Sequence, residues 1–242
     1  IHFVANKIYR QRVIQLGEES WRIKVVGSPS LDLIKSKNLL SKKQLEKKLN
    51  VRFKDDFFLV TFHPVTHELN YTVNQIRSLL NALSKFKHKI VFTAPNADNK
   101  RDNIDSEIKK FTKKNSNSCY LKNIDYNIYL SLLKYSDAVV GNSSSGIIEA
   151  SSLNTFTVNV GNRQKRREAP SSVIHCNYQT ASIIKAIKQV LSLKKNKNFK
   201  FKNPYFQNND TSNLIYNFFN KNKNKKELLK KKFNDIKVGN TK

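Results

Sequence analysis

The chain has 242 residues, 45 Lys and Arg against 18 Asp and Glu, and a formal net charge of +27. At roughly 100–200 residues per domain, that length holds one large domain, or one domain and part of another. A hydrophobic share of 38% with 10% aromatics excludes wholesale disorder, and no apolar run approaches the roughly 20 residues of a membrane span.

The first residues, Ile1-His2-Phe3-Val4, lack the basic-then-apolar pattern of a signal peptide and contain no Met. A chain that opens mid-pattern is expected to be a fragment. Lys7–Leu16 reads as a helix-like piece, and Arg22–Val26 as a weak strand ending in the turn Gly27-Ser28-Pro29. Phe57–Phe62 (FFLVTF) is a continuous apolar run, the pattern of a strand buried on both faces. Tyr71–Phe86 follows with Val73, Ile76, Leu79, Leu80 and Leu83 at helical spacing. Lys89–Thr93 predicts a second buried strand, Asp102–Thr112 and Tyr126–Lys134 short helices, Ala138–Gly141 a third buried strand, and Thr155–Val160 a fourth. Thr180–Leu193 predicts the helix after it. Strands alternating with helices specify βαβ units, hence an α/β fold with a parallel sheet and right-handed crossovers. The remainder, Lys194–Lys242, is rich in Lys and Asn. Thr211–Phe219 keeps an apolar face there, and beyond Asn220 a charged helix or frayed tail is expected.

The charge says less about partners than its size implies. Lys supplies 36 of the 45 basic residues and Asn occurs 30 times. Both residues have A/T-rich codons, so base composition accounts for the bias better than a polyanion partner does. The Lys are interleaved with Asn instead of clustering with Arg and aromatics, and no nucleic-acid or membrane partner is expected. Cys119 and Cys176 have no CxxC spacing and no paired His, which reads as reduced cytoplasmic thiols without a metal.

Four polar segments each follow a predicted parallel strand, and ligands of open parallel sheets sit beyond the carboxyl ends of strands. Gly141-Asn142-Ser143-Ser144-Ser145-Gly146-Ile147-Ile148-Glu149-Ala150 follows Ala138–Gly141 and opens a helical stretch. Its small residues and hydroxyls suit a phosphate at a helix N-terminus, and Glu149 suits two ribose hydroxyls. Equally, Ser143 is a simple helix cap and Glu149 a complement to the helix dipole. His63, in Thr61-Phe62-His63-Pro64, ends the first buried strand and is placed to donate to a phosphate, to act as an acid, or to cap a carbonyl. Gly161-Asn162-Arg163-Gln164-Lys165-Arg166-Arg167-Glu168 holds three of the nine Arg, as forked phosphate donors or as a solvated loop. Pro95-Asn96-Ala97-Asp98-Asn99 has ordinary turn chemistry. Their convergence on one edge describes a nucleotide-binding half-site. No GxxxxGK[ST] or GxGxxG is present, which sets aside a P-loop NTPase and an ordinary NAD site.

These four segments, together with His2-Phe3-Val4-Ala5, Tyr9-Arg10-Gln11-Arg12-Val13, Gly27-Ser28-Pro29-Ser30-Leu31-Asp32 and Asn203-Pro204-Tyr205, resemble the UDP-N-acetylglucosamine 2-epimerases. The likeness is closer to the hydrolysing, sialic-acid-pathway type and runs from residue 1 to about residue 220. It implies the C-terminal Rossmann-like domain of a GT-B-like two-domain fold. On that basis residues 1–27 are a remnant of the N-terminal domain and 28–200 the nucleotide-binding domain. Residues 201–220 are a crossover helix returning to the first domain, and 221–242 a tail.

The resemblance implies that Ser143 and Ser144 bind the diphosphate, Glu149 the ribose, and that Arg163 is the Arg of the nucleotide-binding loop. His63 corresponds to the essential His beside the diphosphate, where it assists UDP departure. Asn96, Asn142, Gly146, Gln164 and Arg167 are further candidates for nucleotide contact. The implied reaction removes the proton at C2, eliminates UDP to a 2-acetamidoglucal, and adds water to give N-acetylmannosamine, with no cofactor. The implied partners are UDP-N-acetylglucosamine or a close analogue, UDP, and a second copy of the full-length protein; the implied location is cytoplasmic. The family's acids and bases lie largely in the N-terminal domain. Residues 1–242 alone are therefore expected to bind nucleotide weakly without turnover. UDP against GDP stays open, as do a GT-B glycosyltransferase and a non-enzymatic basic binding protein.

Overall fold

A computed structural model describes residues 1–36, 38–53, 56–208 and 210–235. In chain order the elements are β1 (His2–Val4), α1 (Lys7–Gln15), β2 (Ile23–Val25), α2 (Pro29–Ser36), α3 (Lys42–Leu49), β3 (Phe57–Thr61), α4 (Thr72–Leu83), β4 (Lys89–Thr93), α5 (Arg101–Lys114), β5 (Ser118–Leu121), α6 (Tyr126–Tyr135), β6 (Ala138–Gly141), α7 (Ser145–Ile148), β7 (Phe156–Val160), β8 (Val173–Cys176), α8 (Thr180–Lys194) and α9 (Thr211–Asn222). They form two compact units, one of residues 1–36 with 204–242 and one of residues 37–203.

The larger unit is a six-stranded parallel sheet in the order β5-β4-β3-β6-β7-β8. Successive side chains of β3 enter opposite cores. Phe58, Val60 and Phe62 join Ile76 and Leu79 of α4 and Ile187 of α8, while Phe57 and Leu59 join Leu45 of α3 and Leu132 of α6. Two buried faces explain why β3, β4 and β6 carry apolar runs without polar alternation; in β7 the polar residues Thr157 and Asn159, which alternate with Phe156, Val158 and Val160, are buried as well. The chain runs outward from β3 through β4 to β5, then returns to pair β6 with the other side of β3. That reversal makes β3 and β6 the switch point, where the loops leaving the two strands diverge and open a crevice.

The smaller unit pairs β1 with β2 in parallel. Phe3 of β1 meets Phe218 and Phe219 of α9 edge-on at 5.5 and 5.6 Å. Asp32 of α2 accepts the backbone N–H groups of Thr211 and Ser212, both at 2.9 Å, and so satisfies the first turn of α9.

The predicted strands at 57–62, 89–93, 138–141 and 155–160, and the helices after them, fall within a few residues of their positions. Sequence pattern missed β1, β5 and β8, which are short, and β1 and β5 are only half-buried throughout, so no apolar run marks them. It also missed α2 and α3. Pro29, read as part of a turn, occupies the first position of α2, where its missing N–H costs nothing. The helical stretch expected after Gly141 is a single turn, α7, followed by a 3-10 turn at Ala150–Leu153. Beyond Asn220 the helix ends at Asn222 and a 3-10 turn spans Lys226–Leu228; the part of the expected tail at 236–242 lies outside the described residues. No described helix is long and apolar enough to cross a membrane.

Candidate nucleotide site at the switch point

Loops from the carboxyl ends of β3, β4, β5 and β6 surround a cavity of about 630 Å³. His63, Asn96 and Ser143 line it, each from a different loop, together with Ser145 and Tyr129. Gly141 makes the geometry possible. It ends β6 at φ +142°, and a Cβ there would stand 2.1 Å from the Thr61 carbonyl oxygen of β3.

Asn142 is the hub. Its side chain is fully buried, at 0% exposure. Its Oδ1 accepts the His63 N–H at 2.7 Å and its Nδ2 donates to the His63 carbonyl at 2.8 Å. Its own carbonyl accepts Nη1 of Arg163 at 3.2 Å and Nε2 of Gln164 at 2.9 Å. One residue therefore ties the loops after β3, β6 and β7 together. Its side chain is committed to backbone, so its role in the site is indirect.

His63 is 4% exposed. Nδ1 accepts the Asn96 N–H at 3.0 Å, so the neutral ring carries its proton on Nε2. Burial, with the Arg163 charge adding to it and Asp98 opposing, holds the ring's pKa down at about 4. At neutral pH His63 is an uncharged donor through Nε2–H.

Arg163 is half-buried and lies within electrostatic reach of Asp98, His63 and Arg167. Burial lowers its proton affinity from a very high starting value, which leaves a guanidinium. Glu149 is 7% exposed; burial first, and the Glu149 charge with it, raises the pKa of Tyr126 and Tyr129, both on the cavity wall, and keeps the two phenols protonated. Glu149 itself does not line the cavity. Ser144 is half-buried and stands just outside the lining; its carbonyl accepts the Ile147 and Ile148 N–H groups of α7. Gly146 is buried against Thr157, whose hydroxyl donates to its carbonyl at 2.8 Å. Gln164, 2% exposed, and Arg167, exposed, line a second cavity of about 460 Å³ beyond β7 and β8.

Sequence reading missed the segment 122–129, which supplies Tyr126 and Tyr129. The signal was Asp125, whose side chain accepts the Ile128 N–H and caps α6. The preceding strand β5 is too short and too exposed to mark the loop as a carboxyl-end loop. Among the described residues, no group of three or more His, Cys, Asp or Glu is placed to hold a metal ion.

The family model described as UDP-N-acetylglucosamine 2-epimerase matches residues 1–220. A Campylobacter jejuni protein, GDP/UDP-N,N'-diacetylbacillosamine 2-epimerase (hydrolyzing), is 39% identical over 176 residues, covering 72% of this chain and 46% of its own length. Polysialic acid biosynthesis protein P7 of Escherichia coli is 36% identical over 234 residues, covering 93% of this chain and 58% of its own. The chain therefore spans about half the length of the curated relatives it matches. Among solved structures, the UDP-GlcNAc 2-epimerase of Methanocaldococcus jannaschii in complex with UDP-GlcNAc and UDP superimposes with a TM-score of 0.68. It is 19% identical, and the match covers 90% of this chain and 60% of that one.

Proposed function

This chain belongs to the UDP-N-acetylglucosamine 2-epimerase family, and from that premise we propose that it forms the nucleotide-binding half of a hydrolysing nucleotide-sugar 2-epimerase. The observation that supports this most is the convergence of His63, Asn96 and Ser143 on one cavity at the switch point, with Arg163 tied to the same hub. In this reading residues 28–200 are the nucleotide-binding domain and 201–220 the crossover helix.

The division of labour follows from the chemistry of each group. Ser143 and Ser144 offer hydroxyl donors to the diphosphate, and the Arg163 guanidinium balances its charge. α7 is only one turn long, so hydroxyls and Arg163 carry the anion and its helix dipole contributes little. Glu149 accepts the ribose hydroxyls. Asn96 holds the ring of His63, Gly146 lets the loop lie close to β7, and Gln164 and Asn142 fix the Arg163 loop, with Arg167 adding positive charge outside.

The reaction begins with loss of the C2 proton of the sugar. The C1–O bond then breaks and its electron pair leaves with the diphosphate. In this reading His63 donates to that departing oxygen through Nε2–H, and because the ring is neutral it does so as a hydrogen-bond donor. Water addition to the resulting glycal gives the free 2-epimerised sugar. The reading also carries the homodimer and cytoplasmic location that the resemblance implies.

Calorimetric titration with UDP and with GDP tests it, together with product analysis after incubation with UDP-N-acetylglucosamine. Binding of one nucleotide, with any product being a free 2-epimerised sugar, is expected. Failure to bind either, or a sugar transferred to an acceptor, overturns the proposal.

A further inference from the structure

One wall of the cavity carries two hydroxyls that the free protein does not use. Tyr129 Oη and Ser145 Oγ are both buried, and neither meets hydrogen-bond geometry with any described residue. A buried hydroxyl without a partner is costly, so two of them on one wall call for an explanation. They are neighbours. Burial acts most strongly on the Tyr129 phenol; the hydroxyls of Ser145, Thr61 and Ser143 lie within its reach and the Glu149 charge acts on it as well, and Thr61, Ser143 and Ser145 line the cavity beside it.

Tyr129 lies one turn along α6 from Tyr126, and the two rings are nearly parallel, 18° apart with centroids at 6.4 Å. Thr61 is already engaged, its hydroxyl meeting that of Thr93. Ser143 Oγ accepts the Ser145 N–H at 3.4 Å, a bond that leaves the Ser143 O–H available to donate.

We propose that Tyr129 is a positioning residue for the anion-binding serines, its phenol O–H coming to donate to Ser143 or Ser145 only as a phosphate oxygen enters and draws the serine hydroxyls toward itself. The inference rests on the nucleotide reading above and adds a residue from α6 to it. A phenol that donates to a serine oxygen leaves the serine proton no closer target than the ligand, and hydrogen bonds in such a chain strengthen one another. Burial and the Glu149 carboxylate push the phenol's pKa up to about 12, so it stays a donor throughout the physiological range. The unpaired hydroxyls are then a cost borne by the free protein and recovered on binding.

The test is Tyr129→Phe in the 242-residue chain, with Ser145→Ala and the double variant, each measured for UDP affinity by calorimetry and for thermal midpoint without ligand. The phenyl ring keeps its stacking, so folding is preserved. The expected result is UDP affinity weakened roughly three- to ten-fold, with a ligand-free midpoint unchanged or raised by up to about 4 °C. The double variant is expected to lose less than the product of the two single losses. These opposite signs separate positioning from a structural role. A ligand-free midpoint lowered by several degrees would show that the hydroxyl is already partnered and overturns the inference. So does unchanged UDP affinity in Tyr129→Phe while the parent chain binds. No UDP binding by the parent overturns the nucleotide reading and this inference with it.

Discussion

His63 accepts a backbone N–H on Nδ1 and sits in a low-dielectric site, and both facts oppose a second proton. The ring is held at about 4 against an ordinary 6.5. Between those values the unfolded chain binds more protons than the native one, so stability is lost as pH falls through that window. The His63 share of the loss between about pH 7.5 and about pH 5 is about 2 kcal/mol. Urea unfolding of the parent and of His63→Gln at both pH values should show the variant losing less by that amount; equal losses would mean that His63 titrates normally. Asn142 is the second decisive residue. Asn142→Ala leaves the His63 N–H and carbonyl buried without their partners, at a cost of about 2–4 kcal/mol. It also frees the His63 loop, so UDP binding should fall further than stability does. A stability change below about 0.5 kcal/mol would show that the clamp is dispensable. His63 itself was legible from its place after a buried strand. The hub role of Asn142 was not, because an Asn in a loop has many ordinary uses.

Among elements, β3 and β6 matter most, because they are adjacent in the sheet and their loops part at the site. Their register pairs Thr61 with Gly141. Gly141→Ala would drive a Cβ into the Thr61 carbonyl at a backbone angle that side chains avoid, and unlike a side chain the strand cannot step aside. A loss of at least about 3 kcal/mol in urea unfolding is expected. Gly146→Ala provides the contrast. Its Cβ would meet Thr157 Cγ2 at 2.7 Å, a side-chain atom that can shift, so a smaller loss is expected. β3, β4 and β6 were readable because burial on both faces writes an apolar run, and β7 from Phe156, Val158 and Val160, although Thr157 and Asn159 interrupt them. β5 and β8 were not, since edge strands are covered on fewer sides and four residues carry too little pattern. Losing β5 from the reading also lost the loop that brings Tyr126 and Tyr129 to the cavity.

For the whole molecule, the division into two units has an energetic meaning. Both hydrophobic clusters of the sheet are built from residues between 37 and 203. Residues 37–203 should therefore fold alone, with a single cooperative thermal transition followed by circular dichroism. A non-cooperative melt would show that the smaller unit is needed for the sheet. The +27 charge contributes little to this scheme. The charge that bears on the site is mainly Arg163, held half-buried by its bond to Asn142.

The sequence by itself determined the parallel α/β character, the loops that meet at one sheet edge, and the family. Each of these is written in local patterns: apolar runs, helical spacing, and short motifs in a fixed order. Only the tertiary structure decided the strand order that places the crevice between β3 and β6, the commitment of Asn142 to three loops, the proton placement on His63, and the idle hydroxyls of Tyr129 and Ser145. Those properties depend on burial and on partners remote in the chain, such as Asn142 and His63, and a one-dimensional pattern does not encode which groups meet when the layers close.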